Sequence, residues 1–292
     1  MFRHVPGGVR VAAGEDGRIS GRARGRMSES LGGGNGEGGR QPDPRGGQRG
    51  LSVLGAAAVL LLLWEILALA VGLSILPTPV AALTAFVREL PRELGRHFVV
   101  SLFRVVASVA LAVTLATPAG LVLGQSRQLN RLLSPFVYLL YPVPKVVLVP
   151  IVLLFLGVGN LPKIVIITMI LFFQVLVLVR DSAAGIRPEL LTSVRSLGAG
   201  RRALFRYVYL PASVPAILTA VRQSVGTAVA VLYIAELFAT RYGLGYYIYL
   251  QGSTLFDYPK MYAGIIAMSV LGLGLYFTVD AVERRVCRWM EA

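Results

Sequence analysis

Six stretches of this sequence are apolar over about twenty residues or more, the length a helix needs to cross a bilayer. They are Leu51–Leu73, Phe98–Leu123, Leu132–Gly157, Leu161–Val179, Ala212–Thr240 and Tyr262–Val282. The first, of 23 residues, reaches roughly 34 Å at 1.5 Å per residue. Hydrophobic residues make up 55% of the chain and the mean hydropathy is +0.68, too apolar for a soluble globular protein. The expectation is an all-α membrane protein with about six transmembrane helices.

Polar residues inside these stretches are costly, so each is a candidate for function. Glu65 follows Trp64 in the first, where it either works or hydrogen-bonds a neighbouring helix. Arg104 stands near the outer end of the second, where snorkelling lowers its cost. The third is broken by Pro142, Pro144 and Pro150, with Lys145 among them. Lys145 has two readings: a cation facing an anionic solute, or a lysine snorkelling to the interface. Gln174 is the polar member of the fourth. The fifth carries Arg222, Gln223, Ser224, Thr227, Tyr233 and Glu236. Gln223 and Thr227 are four apart and share a helical face. So polar a helix is expected to face protein or water and to line a path. Pro77–His97 reads as an amphipathic connection on the outer surface.

Between the fourth and fifth stretches lies PELLTSVRSLGAGRRALFRYVYLPASVP, Pro188–Pro215. Pro188 suits the first position of a helix and Glu189 its positive end. Leu190, Leu191, Val194 and Leu197 form one apolar face, with Arg195 off it. Gly198 falls where a helix ends on positive φ. A second short helix puts Leu204, Phe205 and Val208 on one side and Arg201, Arg202 and Arg206 on the other. The result is a basic helix–glycine–helix elbow over 187–211, read either as docking a partner or as lying on lipid headgroups.

Charge sorts by topology. With the N-terminus inside, twenty of the 29 Lys and Arg residues fall on the cytoplasmic side, six outside and three within spans. That obeys the positive-inside rule and puts both termini and the elbow in the cytoplasm. It also accounts for the net charge of +14 without nucleic acid. Residues 1–50 are rich in Gly and Arg and are expected to form a disordered tail, with 51–292 as the membrane domain. Met27 is an alternative start within that tail.

The elbow resembles the cytoplasmic loop of ABC importer permeases, whose pattern is Glu-Ala-Ala-x-x-x-Gly, nine residues, then Ile-x-Leu-Pro. Gly198 matches the glycine, Ala199 follows it, Val208 lies near the isoleucine, and Leu210–Pro211 match the close. Thr192, Ser193 and Val194 stand where the family has Glu-Ala-Ala. YPVPKVVLVPIVLLFLGVG and VAVLYIAELFATRYGLGYYI, the latter with Glu236, Gly243 and Gly245, resemble the sulfonate, taurine and nitrate branch.

The resemblance implies the type I importer permease architecture, with the elbow as a coupling helix in a groove of an ATPase subunit. Glu189, Arg195, Leu197, Gly198, Ala199, Leu210 and Pro211 are its coupling residues, with Leu197 and Ala199 filling that groove. It implies a second permease copy as homodimer partner, a periplasmic or lipid-anchored solute-binding protein, and the bacterial cytoplasmic membrane as location. Lys145, Arg222, Gln223, Thr227, Tyr233 and Glu236 are the pathway candidates. No G-x-x-x-x-G-K-[ST] loop, paired carboxylates or Cys/His cluster occurs. The chain is therefore read as a non-enzymatic subunit that binds no cofactor or metal, with ATP used by the partner. The expected cargo is a small anion of the sulfonate, taurine, nitrate or bicarbonate class. A cofactor precursor related to thiamine or riboflavin is the alternative cargo. An ion-coupled secondary transporter relaying through Glu65, Glu236 or Arg222 is the alternative mechanism.

Overall fold

The structure, a computed structural model, describes residues 45–288. The expected tail lies outside the described residues up to position 44. The described residues from Ser52 onward form one compact unit.

Among the described residues every regular element is helical. Helix α1 is Arg45–Val71, α2 is Pro79–Glu89, α3 is Gly95–Gln125 and α4 is Arg127–Leu140. Then follow α5 (Val149–Leu156), α6 (Leu161–Ala184), α7 (Pro188–Ser196) and α8 (Arg201–Leu204). The chain closes with α9 (Leu210–Leu237), α10 (Leu244–Tyr249) and α11 (Tyr258–Val286). Four units are long and apolar enough to cross a membrane: Pro79–Gln125, α6, Arg201–Leu237 and α11. A fifth is the pair α4–α5, bent by 75° at its break. In α1 the apolar helix over Gly55–Val71 is shorter. Its Leu60, Leu62 and Leu69 side chains are more than half exposed, as for a surface whose solvent is lipid.

Local chemistry sets the boundaries. Thr78 caps α2, Ser126 caps α4 and Asp257 caps α11, each accepting from the amide three residues on. Pro162 and Pro188 sit in the first turns of α6 and α7, where no amide is needed.

Pro77–His97 forms α2 and the segment Leu90–Leu94, which kinks at Arg92 (φ −104°, ψ −111°, outside the helical range) before α3 begins. α2 packs against α11. The second elbow helix, by contrast, passes without a kink through a π-helical turn, Phe205–Tyr209, straight into α9. There the Leu210 amide bonds the Phe205 carbonyl, five residues back. Pro211 has no N–H and would crowd the carbonyl of Tyr207, and the wider turn accommodates it.

α3 packs along α6, and α6 along α9. Ser108, Ala112, Ala116, Gly120 and Gly124 recur every four residues on α3. A Cβ on Gly120 would meet Val179 Cβ at 2.9 Å, and one on Gly124 would meet the Arg180 carbonyl at 2.7 Å. Small residues at this spacing let two membrane helices approach backbone to backbone. The apolar core has two parts: one around Val105, Ile167, Leu171 and Leu232, the other around Leu121, Val179, Leu204 and Val208.

Candidate functional site

The break between α4 and α5 creates a site. Pro144 and the turn after it leave carbonyls at the end of α4 without helical partners. Lys145 Nζ takes them up, donating to the carbonyls of Leu140 (2.7 Å), Tyr141 (3.1 Å) and Val143 (3.3 Å). Its ammonium lies 4.5 Å from the centre of the Phe173 ring. The Lys145 residue is 8% exposed. Its three donors are spent on the helix end, where a cation suits the dipole.

Beside this cap are two adjoining cavities of about 320 and 150 Å³ that share Tyr141 and Gln174. Lys145 and Phe173 line the first, and Gln223 and Ser224 the second. Gln174 Nε2 lies 3.5 Å from Thr227 Oγ1. Gln223 and Thr227 thus share a face, as their spacing predicts, and the amide of Gln174 from α6 meets it.

The other three pathway candidates lie elsewhere. Arg222 turns to α11 and pairs with Asp280 (3.2 Å) and Glu283 (3.1 Å). Tyr233 lines an apolar cavity of about 510 Å³ between α9 and α11. Glu236 is fully buried. Its carboxylate pairs with Arg104 Nη1 at 2.7 Å and accepts from the Gly245 amide at 2.8 Å. Ser101 Oγ lies 2.8 and 2.9 Å from its two oxygens.

Arg104 also corrects its expectation: it is 3% exposed and points inward. It donates to Asn160 Oδ1 through Nε (2.9 Å) and Nη2 (2.8 Å), and to the Tyr242 carbonyl (2.7 Å). The Gly243 amide donates to His97 Nδ1 at 2.9 Å. The Leu244 amide donates to Ser101 Oγ at 2.8 Å. Lys163 donates to the carbonyls of Gly159 and Ala239. This network ties α3, α6, α9 and the 239–245 segment, which ends in the first turn of α10, together. Spacing along any one helix gave no sign of it, because its members come from four segments. Nearby, Tyr247 is held in apolar surroundings, and burial pushes its phenol above the usual range. No group of three or more His, Cys, Asp or Glu side chains among the described residues is placed to hold a metal.

The elbow divides its apolar residues. Leu191, Val194, Ala199 and Leu210 pack on the second core cluster. Leu197 is 85% exposed, and Leu190 is 48% exposed. The expected single face splits because α7 ends at Ser196, so Leu197 leaves the helical register. Leu190 lies one step round from Leu191 and faces out. Ala199 therefore does not project with Leu197. Gly198 has φ +83°, as its place after the helix predicts. Glu189, Arg195 and Pro211 are exposed.

Comparison with known proteins follows this layout. Residues 116–288 match the family described as binding-protein-dependent transport system inner membrane component. A probable ABC transporter permease protein of Brucella abortus (strain 2308) is 33% identical over 229 residues, 78% of this chain and 91% of the relative. The taurine transport system permease protein TauC of Escherichia coli (strain K12) is 29% identical over 244 residues, 81% of this chain and 88% of the relative. Among solved structures, the inward-facing MetNI methionine ABC transporter contains a chain that aligns with a TM-score of 0.60 at 21% identity. That alignment covers 66% of this chain and 95% of that one.

Proposed function

This chain belongs to the family of binding-protein-dependent transport system inner membrane components and is an ABC importer permease, and from that premise we propose that it moves a small organic anion of the sulfonate class. Two copies would enclose the path, with an ATPase below each elbow and a solute-binding protein on the opposite face. Both termini would lie in the cytoplasm, in keeping with the sorting of basic residues. This chain would catalyse nothing itself; ATP would be hydrolysed by the partner.

The observation that carries the reading is the polar wall formed by Gln174, Gln223 and Thr227 beside the Lys145-capped break. Amide and hydroxyl groups at such a wall offer an oxyanion neutral donors, and the Lys145 charge nearby biases the cavity toward anions. The likeness to TauC supports the sulfonate class. Exposed Leu197, projecting from the turn at Gly198, suits insertion into a partner's groove. Arg222 and Glu236, relay groups for an ion-coupled carrier, are each already held in ion pairs.

The test is reconstitution of the chain with its ATPase and binding protein in liposomes, with taurine as the labelled solute. ATP-dependent taurine uptake supports the proposal. ATP-driven uptake of other solutes with none of taurine would overturn the sulfonate assignment. Uptake without ATP that collapses with the proton gradient would overturn the mechanism.

A further inference from the structure

A fourth cavity, of about 450 Å³, lies between the elbow and the α3–α4 turn. Gln125, Ser126 and Gln128 line one wall, and Arg195, Arg201 and Tyr209 the other. Neither guanidinium has a carboxylate within ion-pair distance among the described residues. Both residues are exposed, so water screens their repulsion, and an anion in the cavity they share is within reach of charge-assisted bonds from both. The opposite wall is also rich in donors. The side-chain amide nitrogen of Gln125 is closed off from solvent, so the donors on this wall are the Gln128 side chain and the backbone at the start of α4. Ser126 caps α4 through the Leu129 amide, so the first amides of this 14-residue helix remain open to an acceptor.

We propose that this cavity is a binding site for a tetrahedral oxyanion, clamped between Arg195 and Arg201 of the elbow and the Gln125–Gln128 turn. It is distinct from the pathway cavities, which share no lining residue with it. Leu197 is exposed and is not among the residues that line it. Its occupant joins α7 and α8 to the ends of α3 and α4, and so braces the element through which motion would be transmitted. Free sulfate or phosphate and the phosphate of an anionic lipid share the chemistry required.

The test is equilibrium dialysis of labelled sulfate against the permease–ATPase complex in phosphatidylcholine nanodiscs, at constant ionic strength set with chloride. With unlabelled taurine in excess to fill the pathway, the expected result is one saturable sulfate per permease chain. Arg201→Ala is expected to weaken it about tenfold or more, the scale of one lost charge-assisted contact, with Arg201→Lys intermediate. Gln223→Leu, in the pathway, is expected to leave it unchanged. That arm separates this site from solute binding in the path and makes the result independent of which solute is carried. If phosphatidylglycerol displaces the sulfate, the site stands and a lipid headgroup is its ligand. Sulfate binding unaffected by Arg201→Ala, or absent from wild type, would overturn the proposal. So would sulfate that binds the permease alone but not the complex, which would give the cavity to an acidic side chain of the ATPase. Size-exclusion profiles that match wild type establish that each variant is folded.

Discussion

Gly243 leaves the space that Glu236 fills: a Cβ at position 243 would fall on the carboxyl group of this buried acid. The same glycine has φ +141°, in a region that other residues rarely adopt. Gly243→Ala is therefore expected to destabilise the protein by about 1–3 kcal/mol through overpacking alone. Thermal unfolding of the detergent-purified chain checks it, and an unchanged melting point would contradict the geometry.

Glu236 and Arg104 are both buried and paired at 2.7 Å. Removing one partner strands the other charge, at a cost of about 3–5 kcal/mol, whereas replacing both removes the need for compensation. Glu236→Gln is expected to lower the melting temperature sharply, and Arg104→Met with Glu236→Gln to recover part of the loss. Were Glu236 instead a proton relay with no structural part, Glu236→Gln would melt like wild type and fail only in transport.

Gly120 and Gly124 lie against the backbone of α6. Leucine at either position is expected to force α3 and α6 apart and to abolish recovery of folded protein, whereas Gly55→Leu, in open surroundings, is expected to be tolerated. Yield and monodispersity after extraction report both.

Gly198 has no atom near its missing Cβ, so a substitution there acts through the backbone rather than by a clash. Gly198→Val, a β-branched residue at positive φ, is expected to disturb the elbow and uncouple ATP hydrolysis from uptake while leaving membrane insertion intact. Gly198→Asn is expected to retain much of the activity, because asparagine tolerates left-handed backbone. The check is uptake and ATPase rate measured on the same reconstituted complex; equal uptake by the valine variant would remove the elbow from coupling.

On the proposed pathway wall, Gln223→Leu and Thr227→Val remove donors without removing volume. Each is expected to reduce uptake several-fold at limiting solute, with the protein as stable as wild type. Arg222→Gln, which breaks the pairs with Asp280 and Glu283, is expected to act mainly on stability. A substrate-saturation series together with a melting curve separates the two classes.

The helical class, the apolar segments, the elbow and its glycine were legible because they are local. Span length, proline position and a positive-φ glycine depend on neighbours a few residues away. The common face of Gln223 and Thr227 was legible for the same reason. The small-residue stripe from Ser108 to Gly124 was equally visible at a spacing of four, but its meaning needed α6 opposite it.

The sequence by itself determined that the chain is a bundle of membrane helices with a basic elbow and a polar fifth span. Only the tertiary structure decided what each charge does. Arg104 and Glu236 stand 132 positions apart and become one ion pair. Lys145 becomes the cap of a broken helix, Arg222 a tie to α11, and Leu197 an exposed tip while Ala199 folds inward. The reason is physical: a charge in an apolar medium goes to whichever partner lowers its desolvation cost. That partner is fixed by which helices pack together, not by its distance along the chain.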